Sequence, residues 1–261
     1  MNTVFENKVI EARAKDLLVT NLNTRNYMTI DTSLTETAGM TKTINVYTYS
    51  GTAEELEKGG KNTNRGSISY VGTDYKVKRV QQVFDYFDDD FMTDNTIVDN
   101  MLKGANQVMV NKMGADFQTE CGKASLSHEA DTIGYEAIVD AIAKLNLEDE
   151  SALFVVIPNS WKAELRKDED YKAARMGEVV YSGQVGTICG IPVIATKGLD
   201  ALEVPCAYVM TKEAVKLFMK KDVEVEQDRD KEAKSNTVIL STYYICALAD
   251  ATKICKIIKK A

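Results

Sequence analysis

Five aspartates within one short segment are the side chains most able to bind a metal ion: Asp85, Asp88, Asp89, Asp90 and Asp94. Hard cations take several carboxylate oxygens as ligands, so a cation held here could support a metal-dependent hydrolase. The segment lacks the central glycine of a calcium loop, however. Acidic residues are also expected before a helix, because they interact favourably with the positive end of its dipole. An acidic helix start is therefore the favoured interpretation, and a hydrolase that uses Asp85 to Asp94 is an alternative.

The sequence contains no other recognisable catalytic pattern. The single histidine, His128, lies in a Ser-Leu-Ser-His-Glu stretch without a nucleophile motif, which favours an exposed loop residue. The glycines between Gly183 and Gly190 have the spacing of neither a phosphate loop nor a dinucleotide-binding turn. Five cysteines without a C-x-x-C pair indicate reduced cytoplasmic thiols. These patterns indicate no catalytic residue, no cofactor and no metal, and a pair of carboxylates stays an open alternative.

The composition is that of a globular protein with an acidic net charge. The chain has 261 residues, 44% of them hydrophobic, which is enough for one large or two modest domains. Its net charge of -7 argues against tight binding of nucleic-acid phosphates, which requires clustered Lys and Arg. Residues 1–8 lack the apolar segment of a secretory signal, and we expect no membrane contact.

One long helix is the element around which the other segments are expected to pack. Between Asp94 and Cys121 the apolar residues recur three or four apart, which predicts a helix buried along one side. Thr93 or Asp94 suits its start, and Gly122 suits its end. Such a helix is about 40 Å long, so it exceeds one small core and either spans two lobes or contacts a neighbouring subunit. We expect Gly104 and Gly114 to allow close packing.

Upstream of this helix the sequence predicts a short helix, an arm and a hairpin. Residues 4–19 have an amphipathic pattern, and the Thr-rich residues 27–43 indicate an extended arm with little core. Alternation predicts a strand over 43–49 and a returning strand over 67–80, joined by a tip rich in glycine and charge. A two-stranded hairpin is marginal by itself, so it should rest on another element or on another subunit.

Downstream, helical and strand patterns follow each other. We predict a helix over 135–145, a buried strand over 153–157, a helix capped by Asn159 or Ser160, and short strands at 193–195 and 207–210. Long strands within 223–227, 237–246 and 254–258 are expected to form the sheet on which the long helix packs. The pattern as a whole indicates an α+β protein.

Several of these parts together resemble the major capsid proteins of tailed bacteriophages, which have the Hong Kong 97-type fold. The resemblance rests on residues 157–166 (IPNSWKAELR), 183–194 (GQVGTICGIPVI), 223–230 (VEVEQDRD) and the strands of 237–258. The hairpin tip at 51–59 and the helix of 93–123 resemble that family's extended loop and spine helix. The order of these parts extends over almost the whole chain.

The resemblance implies a fold, a domain division and a structural function without enzyme activity. It implies an N-terminal arm (1–42), an extended β-hairpin loop (43–85), a peripheral domain with the spine helix and long β-strands (86–130 and 216–261) and a central axial domain (131–215). Identical subunits would form hexamers and pentamers that close into an icosahedral shell around double-stranded DNA, without sequence-specific binding. An encapsulin-type nanocompartment that encloses cargo enzymes is the alternative with the same fold.

The resemblance also implies partners and contact residues. The expected partners are further copies of the chain, a separate scaffolding protein, a portal and decoration proteins, and the expected location is the virion capsid after assembly in the host bacterial cytoplasm. Residues of the hairpin tip and of the loop near the symmetry axis are the candidates for contacts between subunits: Glu54, Glu57, Lys58, Lys61, Arg65, Lys167, Asp170, Tyr171 and Tyr181.

Overall fold

The computed structural model describes residues 3–23, 27–36, 38–94, 96–169 and 186–260. Five α-helices occur in these residues: α1 Thr3–Asn23, α2 Asp88–Thr93, α3 Ile97–Cys121, α4 Tyr135–Leu145 and α5 Lys162–Lys167. Twelve strands accompany them: β1 Thr29–Asp31, β2 Thr41–Ser50, β3 Ser67–Lys76, β4 Lys78–Phe87, β5 Leu126–Ala130, β6 Leu153–Pro158, β7 Thr187–Ile188, β8 Ile191–Thr196, β9 Cys206–Thr211, β10 Val215–Asp230, β11 Ser235–Leu248 and β12 Ile254–Lys259.

The strands form three separate sheets. A four-stranded sheet has the order β1-β10-β11-β4, a six-stranded sheet has the order β5-β12-β9-β6-β8-β7, and β2 pairs only with β3. Helices and sheets are thus mixed along the chain, which confirms the predicted α+β class. No helix in the described part of the chain is both long and apolar enough to span a membrane.

The long helix is present as predicted. Helix α3 has 25 residues, which corresponds to about 37 Å, and contacts α1, β4, β10 and β11. Its buried side is apolar, with Leu102, Met109, Met113 and Phe117 inside the largest core. The helix ends before Gly122 as predicted, but it begins later than predicted, at Ile97. Asp94 lies before the helix, where its carboxylate accepts the backbone N–H of Thr96.

The six-stranded sheet separates two cores. Alternate side chains of β6 point to opposite sides, so that Phe154 lies in the core beneath α3 and Val155 lies in the core beneath α4. The predicted strand at 153–157 and the predicted helix at 135–145 are confirmed at these places. Because both faces of the strand are covered, its sequence is a continuous apolar run and does not alternate.

The last strand lies in a different sheet from the one predicted. Instead of extending the sheet of β10 and β11, β12 runs between β5 and β9. Its residues explain this position, because Ile254 is buried on the α3 side while Cys255 and Ile257 are buried on the α4 side. A strand with two apolar faces needs a layer on each side, and α3 and α4 supply these layers to the six-stranded sheet.

The Thr-rich segment after α1 is part of the body and not a free arm. Strand β1 pairs in parallel with β10, and Tyr27 and Met28 are buried in the main core. The Tyr27 ring lies 5.5 Å from the ring of Phe117 on α3. The prediction of little core in this segment was wrong, because two large side chains before the strand reach the long helix.

The returning strand of the hairpin is also shorter than predicted. Strand β3 ends at Lys76, and β4 leaves the hairpin to pair with β11. The side chains account for the division, because Val80 and Phe84 of β4 pack against the main core while most of β3 is exposed. The expected close packing at Gly104 is absent as well, since a Cβ there would meet no atom within 4 Å.

Replacing Met109 by aspartate is expected to prevent folding of the subunit. Met109 is 1% exposed, so the new carboxylate would lose its hydration without gaining a partner. In urea denaturation the free energy of unfolding should fall by well over the ~1 kcal/mol typical of point substitutions, or the unfolding transition should be absent. Val108→Asp, on the exposed side of the same helix, serves as the control and should change stability by less than about 0.5 kcal/mol. Equal losses in both variants would refute the assignment of the buried side.

Candidate assembly surfaces

The β2–β3 hairpin projects from the body as a two-stranded ribbon. Each strand has ten residues, so the paired part is about 33 Å long. The register pairs Thr41 with Lys76 at the base and Ser50 with Ser67 next to the tip. The β3 residues in the outer half of this ribbon are all exposed, and β2 and β3 form a sheet of their own.

Apolar side chains are exposed along this outer half. Val46 faces Val71 across the two strands, and Tyr49 faces Ile68. These four side chains and Tyr70 are all exposed, with Tyr70 and Val71 at 67% and 68%. Because paired residues share a face and successive residues alternate, Val46 and Val71 lie on one face of the ribbon and Tyr49, Ile68 and Tyr70 lie on the other. Exposed apolar side chains on both faces indicate contact surfaces for other protein segments. The hairpin therefore has the composition of a strand pair that is covered in an assembly.

The tip of the hairpin is held together by its own side chains. The Glu54 carboxylate accepts the Thr63 backbone N–H at 3.0 Å, and Asn64 donates to the Thr52 hydroxyl at 2.7 Å. Glu57 accepts the Gly60 N–H through its backbone carbonyl. These bonds order the loop and leave the predicted contact residues Glu57, Lys58, Lys61 and Arg65 exposed, without an ion pair to any described residue.

A second exposed apolar cluster lies at the end of β4 and on α2. It consists of Val83, Phe87, Phe91 and Met92, and Met92 is 82% exposed. The sequence analysis considered only the aspartates of this segment, so these residues were missed. The alternation of Phe87, Phe91 and Met92 with acids was the signal that could have identified an amphipathic surface.

The aspartates beside this cluster have structural partners. Asp85 accepts from the Thr237 hydroxyl at 2.6 Å, and Asp88 accepts from Arg229 and Asn236 at 2.7 and 2.9 Å. The remaining acids lie at the start of α2 and before α3, as the helix dipole favours. Within the described residues no group of His, Cys, Asp or Glu has the arrangement of a metal site. The acidic segment therefore stabilises turns and strands, and the hydrolase alternative loses its basis.

The region around α4 and α5 is organised by two carboxylates from distant parts of the chain. Asp168 accepts the Tyr135 N–H at 2.6 Å and caps α4. Asp200 accepts the N–H groups of Asn159 and Ser160, at 3.2 and 3.1 Å, before α5. The predicted capping by Asn159 or Ser160 is thus replaced by capping from Asp200. No local sequence pattern indicates either of these partners.

Of the predicted axial contacts, only Lys167 is described; it is exposed at the end of α5. The predicted contacts Asp170, Tyr171 and Tyr181 lie outside the described residues. Lys167 lines an open groove of about 750 Å³ that also contains His128, Asp140 and Lys259.

The prediction of an exposed loop histidine was wrong, because His128 is part of β5. Its side chain is 15% exposed, and its Nε2 lies 3.6 Å from the Asp140 carboxylate. The groove lining contains the Thr132 hydroxyl but no serine or cysteine within the described residues. His128 beside Asp140 is a polar contact between β5 and α4.

Four of the five thiols are unsuited to chemistry. Cys121, Cys206, Cys246 and Cys255 are buried and form no disulfides, whereas Cys189 is exposed. Burial raises the pKa of Cys121, Cys206 and Cys246, because a thiolate would lose its hydration in this core. These cysteines therefore act as small apolar core residues.

The fold defined by the spine helix, the projecting hairpin and the two sheets is the Hong Kong 97-type capsid fold. Among solved structures, the head of Helicobacter pylori bacteriophage KHP40 has a TM-score of 0.71 at 8% identity, and covers 89% of this chain and 88% of its own. A virus-like particle from Pyrococcus furiosus has a TM-score of 0.64 at 10% identity, and covers 94% of this chain and 98% of its own.

A sequence relative is consistent with this fold. The major capsid protein of Staphylococcus phage phiMR11 is 24% identical over 235 residues, which are 88% of this chain and 84% of the relative. No protein-family model matches the sequence. The resemblance to tailed-phage major capsid proteins and the predicted fold are therefore confirmed, and these relatives are structural proteins and not enzymes.

Replacing Gly134 by alanine is expected to destabilise the start of α4. A Cβ at this position would overlap the Asp168 carboxylate and displace it from α4. The loss of a capping side chain costs about 1 kcal/mol, which urea denaturation can measure. Gly104→Ala is the matched control in α3, where a Cβ meets no atom, and it should stabilise the subunit by up to about 1 kcal/mol. Destabilisation by both substitutions would refute this explanation.

Proposed function

We propose that this chain is the major capsid protein of a tailed bacteriophage. Identical subunits assemble as hexamers and pentamers into an icosahedral shell, and the shell encloses double-stranded DNA without reading its sequence. The observation that carries the proposal is the projecting hairpin, whose exposed apolar side chains lack cover within the subunit. The capsid relative and the capsid-type fold support the same conclusion.

The hairpin also explains why the assembly closes into rings. A hairpin that lies on a different surface of its neighbour makes a head-to-tail contact. Repeated contacts of this kind generate a closed ring when the rotation between subunits permits it. Hexamers and pentamers are such rings. The predicted residues at the tip, Glu54, Glu57, Lys58, Lys61 and Arg65, would then contact the adjacent subunit.

The remaining parts of the proposal concern domains, partners and location. We infer the division into an N-terminal arm, an extended loop, a peripheral domain and an axial domain, with Lys167, Asp170, Tyr171 and Tyr181 near the symmetry axis. A separate scaffolding protein, a portal and decoration proteins would join the shell. Assembly would take place in the host bacterial cytoplasm, and the product would be the virion capsid.

An encapsulin-type shell that encloses cargo enzymes is the second candidate. It is favoured by the similarity to the Pyrococcus furiosus virus-like particle, 98% of whose chain is covered. Purified shells distinguish the two functions by their contents, since a capsid contains nuclease-resistant DNA and a nanocompartment contains a defined protein.

Electron microscopy of the purified protein tests the proposed function directly. Expressed alone or together with a scaffolding partner, the protein is expected to form closed shells of uniform diameter in negative stain. Gel filtration should place the assembled material far above the mass of one subunit. A compact monomer under all conditions, including the presence of the scaffolding partner, would refute the proposal.

Exchanging the charges at the hairpin tip is expected to impair assembly and to leave the subunit folded. The double substitution Glu57→Lys and Lys58→Glu keeps the net charge constant, and neither side chain has an ion pair within the described residues. Thermal unfolding should change by less than about 0.5 kcal/mol, as for other exposed positions. The yield of shells in sedimentation should fall.

The control for this experiment is a charge change on the body. Glu148 is exposed after α4, and Glu148→Lys should not alter the yield of shells. A normal yield from the double substitution at the tip would count against a tip contact between subunits.

A further inference from the structure

The hairpin is joined to the body at two narrow places. On one side, Gly39 has a φ of 111°, and no atom lies within 4 Å of the position that its Cβ would occupy. On the other side, Val77 is the one residue between β3 and β4. The Val77 N–H donates to the Met40 carbonyl at 2.8 Å and connects the two places. The Tyr75 hydroxyl has a further hydrogen bond with the backbone of Leu248 on β11. With so few backbone contacts at the junction, side chains set the angle between hairpin and body.

Two side chains just beyond this junction reach back to the body. Lys42 on β2 and Tyr75 on β3 are directly opposite in the register, so their side chains lie on the same face of the ribbon. The face is the one that contacts the body, because Ile44 and Tyr75 pack against a small core formed by Leu34, Phe218, Ile245 and Ala247.

Lys42 makes a cation–π contact with the body. Its Nζ lies 3.7 Å from the centroid of the Phe218 ring on β10, and the same ammonium donates to the Ser33 hydroxyl at 3.2 Å. Phe218 is 4% exposed, so one face of the cation is shielded from water. Cation–π attraction increases when the cation is desolvated, and it requires the cation to stay above the ring.

Tyr75 makes a contact of the opposite sense. Here the hairpin supplies the ring and the body supplies the cation, since the Lys123 Nζ lies 5.7 Å from the Tyr75 centroid. Lys123 follows α3 and is held by both carboxylate oxygens of Glu120, at 2.7 and 2.9 Å. Glu120 is buried on α3, so the position of this cation is fixed by the long helix.

We propose that Lys42 and Tyr75 form a reciprocal cation–π clamp that fixes the angle of the hairpin to the body. One contact positions the hairpin relative to β10 through Phe218, and the other positions it relative to α3 through Lys123. Loss of either contact releases the hairpin to swing about Gly39 and Val77. The proposal goes beyond the proposed capsid function, since it concerns the shape of one subunit and holds whether or not shells form.

Distance measurement between paired spin labels in the full chain tests the clamp. The labels are attached at Ser69→Cys on the hairpin and Lys103→Cys on α3, both exposed, in a Cys189→Ser background that removes the exposed native thiol. Labelled protein is mixed with an excess of unlabelled protein, so that each measured distance lies within one subunit. The unsubstituted clamp is expected to give one narrow distance distribution.

Matched substitutions separate the cation and the ring from other packing. Lys42→Met keeps the aliphatic stem and removes the cation, and it should broaden and shift the distribution, whereas Lys42→Arg keeps the cation and should preserve it. Tyr75→Leu removes the ring and should broaden the distribution. Tyr75→Phe keeps the ring and loses only the hydroxyl with its hydrogen bond to the Leu248 backbone, so it should preserve the distribution when the ring sets the angle. Circular dichroism checks that each variant is folded. The measured distance does not report on the hairpin tip, because both labels lie outside it.

The outcomes decide the proposal in either direction. Broadening by Lys42→Met and Tyr75→Leu together with narrow distributions for Lys42→Arg and Tyr75→Phe supports the clamp. A narrow distribution for Lys42→Met overturns it, and so does equal broadening by Lys42→Met and Lys42→Arg. If Tyr75→Leu fails to fold, the Lys42 pair alone gives the decision. Failure of shell assembly in the unsubstituted protein would affect the proposed function and not this result.

Discussion

The burial of one side of α3 is the constraint on which the remaining structure depends. Its apolar side chains fill the core between α1, the four-stranded sheet and the six-stranded sheet. The same side also buries the Asp116 carboxylate, which accepts from Tyr244 at 2.8 Å and from Lys112 at 3.1 Å. A buried carboxylate is tolerated only when its charge and hydrogen bonds are satisfied. The register of the helix on the sheet is therefore fixed by polar as well as apolar contacts.

Polar contacts from distant parts of the chain also fix the positions of α4 and α5. Asp168 and Asp200 satisfy N–H groups at helix starts that would otherwise lack partners. Each carboxylate also joins two segments that are far apart in the sequence. The region around α4 and α5 is thus held by caps that depend on the completed fold. Its core lies on the six-stranded sheet, whose other side packs in the core of α3.

The subunit satisfies its core and leaves its hairpin uncovered. The body buries the base of the ribbon, whereas the outer half exposes aromatic and branched side chains. A folded chain gains most from burying such surface against another molecule. This difference between a closed body and an open ribbon connects the fold to the proposed assembly, in which a neighbour supplies the missing cover.

The sequence by itself determined the helices and strands whose residues repeat with a clear period. The extent of α3 and the bounds of α4 follow from helical periodicity, which records the apolar face of an element, and β6 follows from a continuous apolar run that ends at a proline. Only the tertiary structure decided that β12 joins the six-stranded sheet, that β4 leaves the hairpin and that His128 lies on a strand. These features depend on hydrogen bonds and packing partners supplied by distant segments, and a local pattern carries no information on which segment arrives.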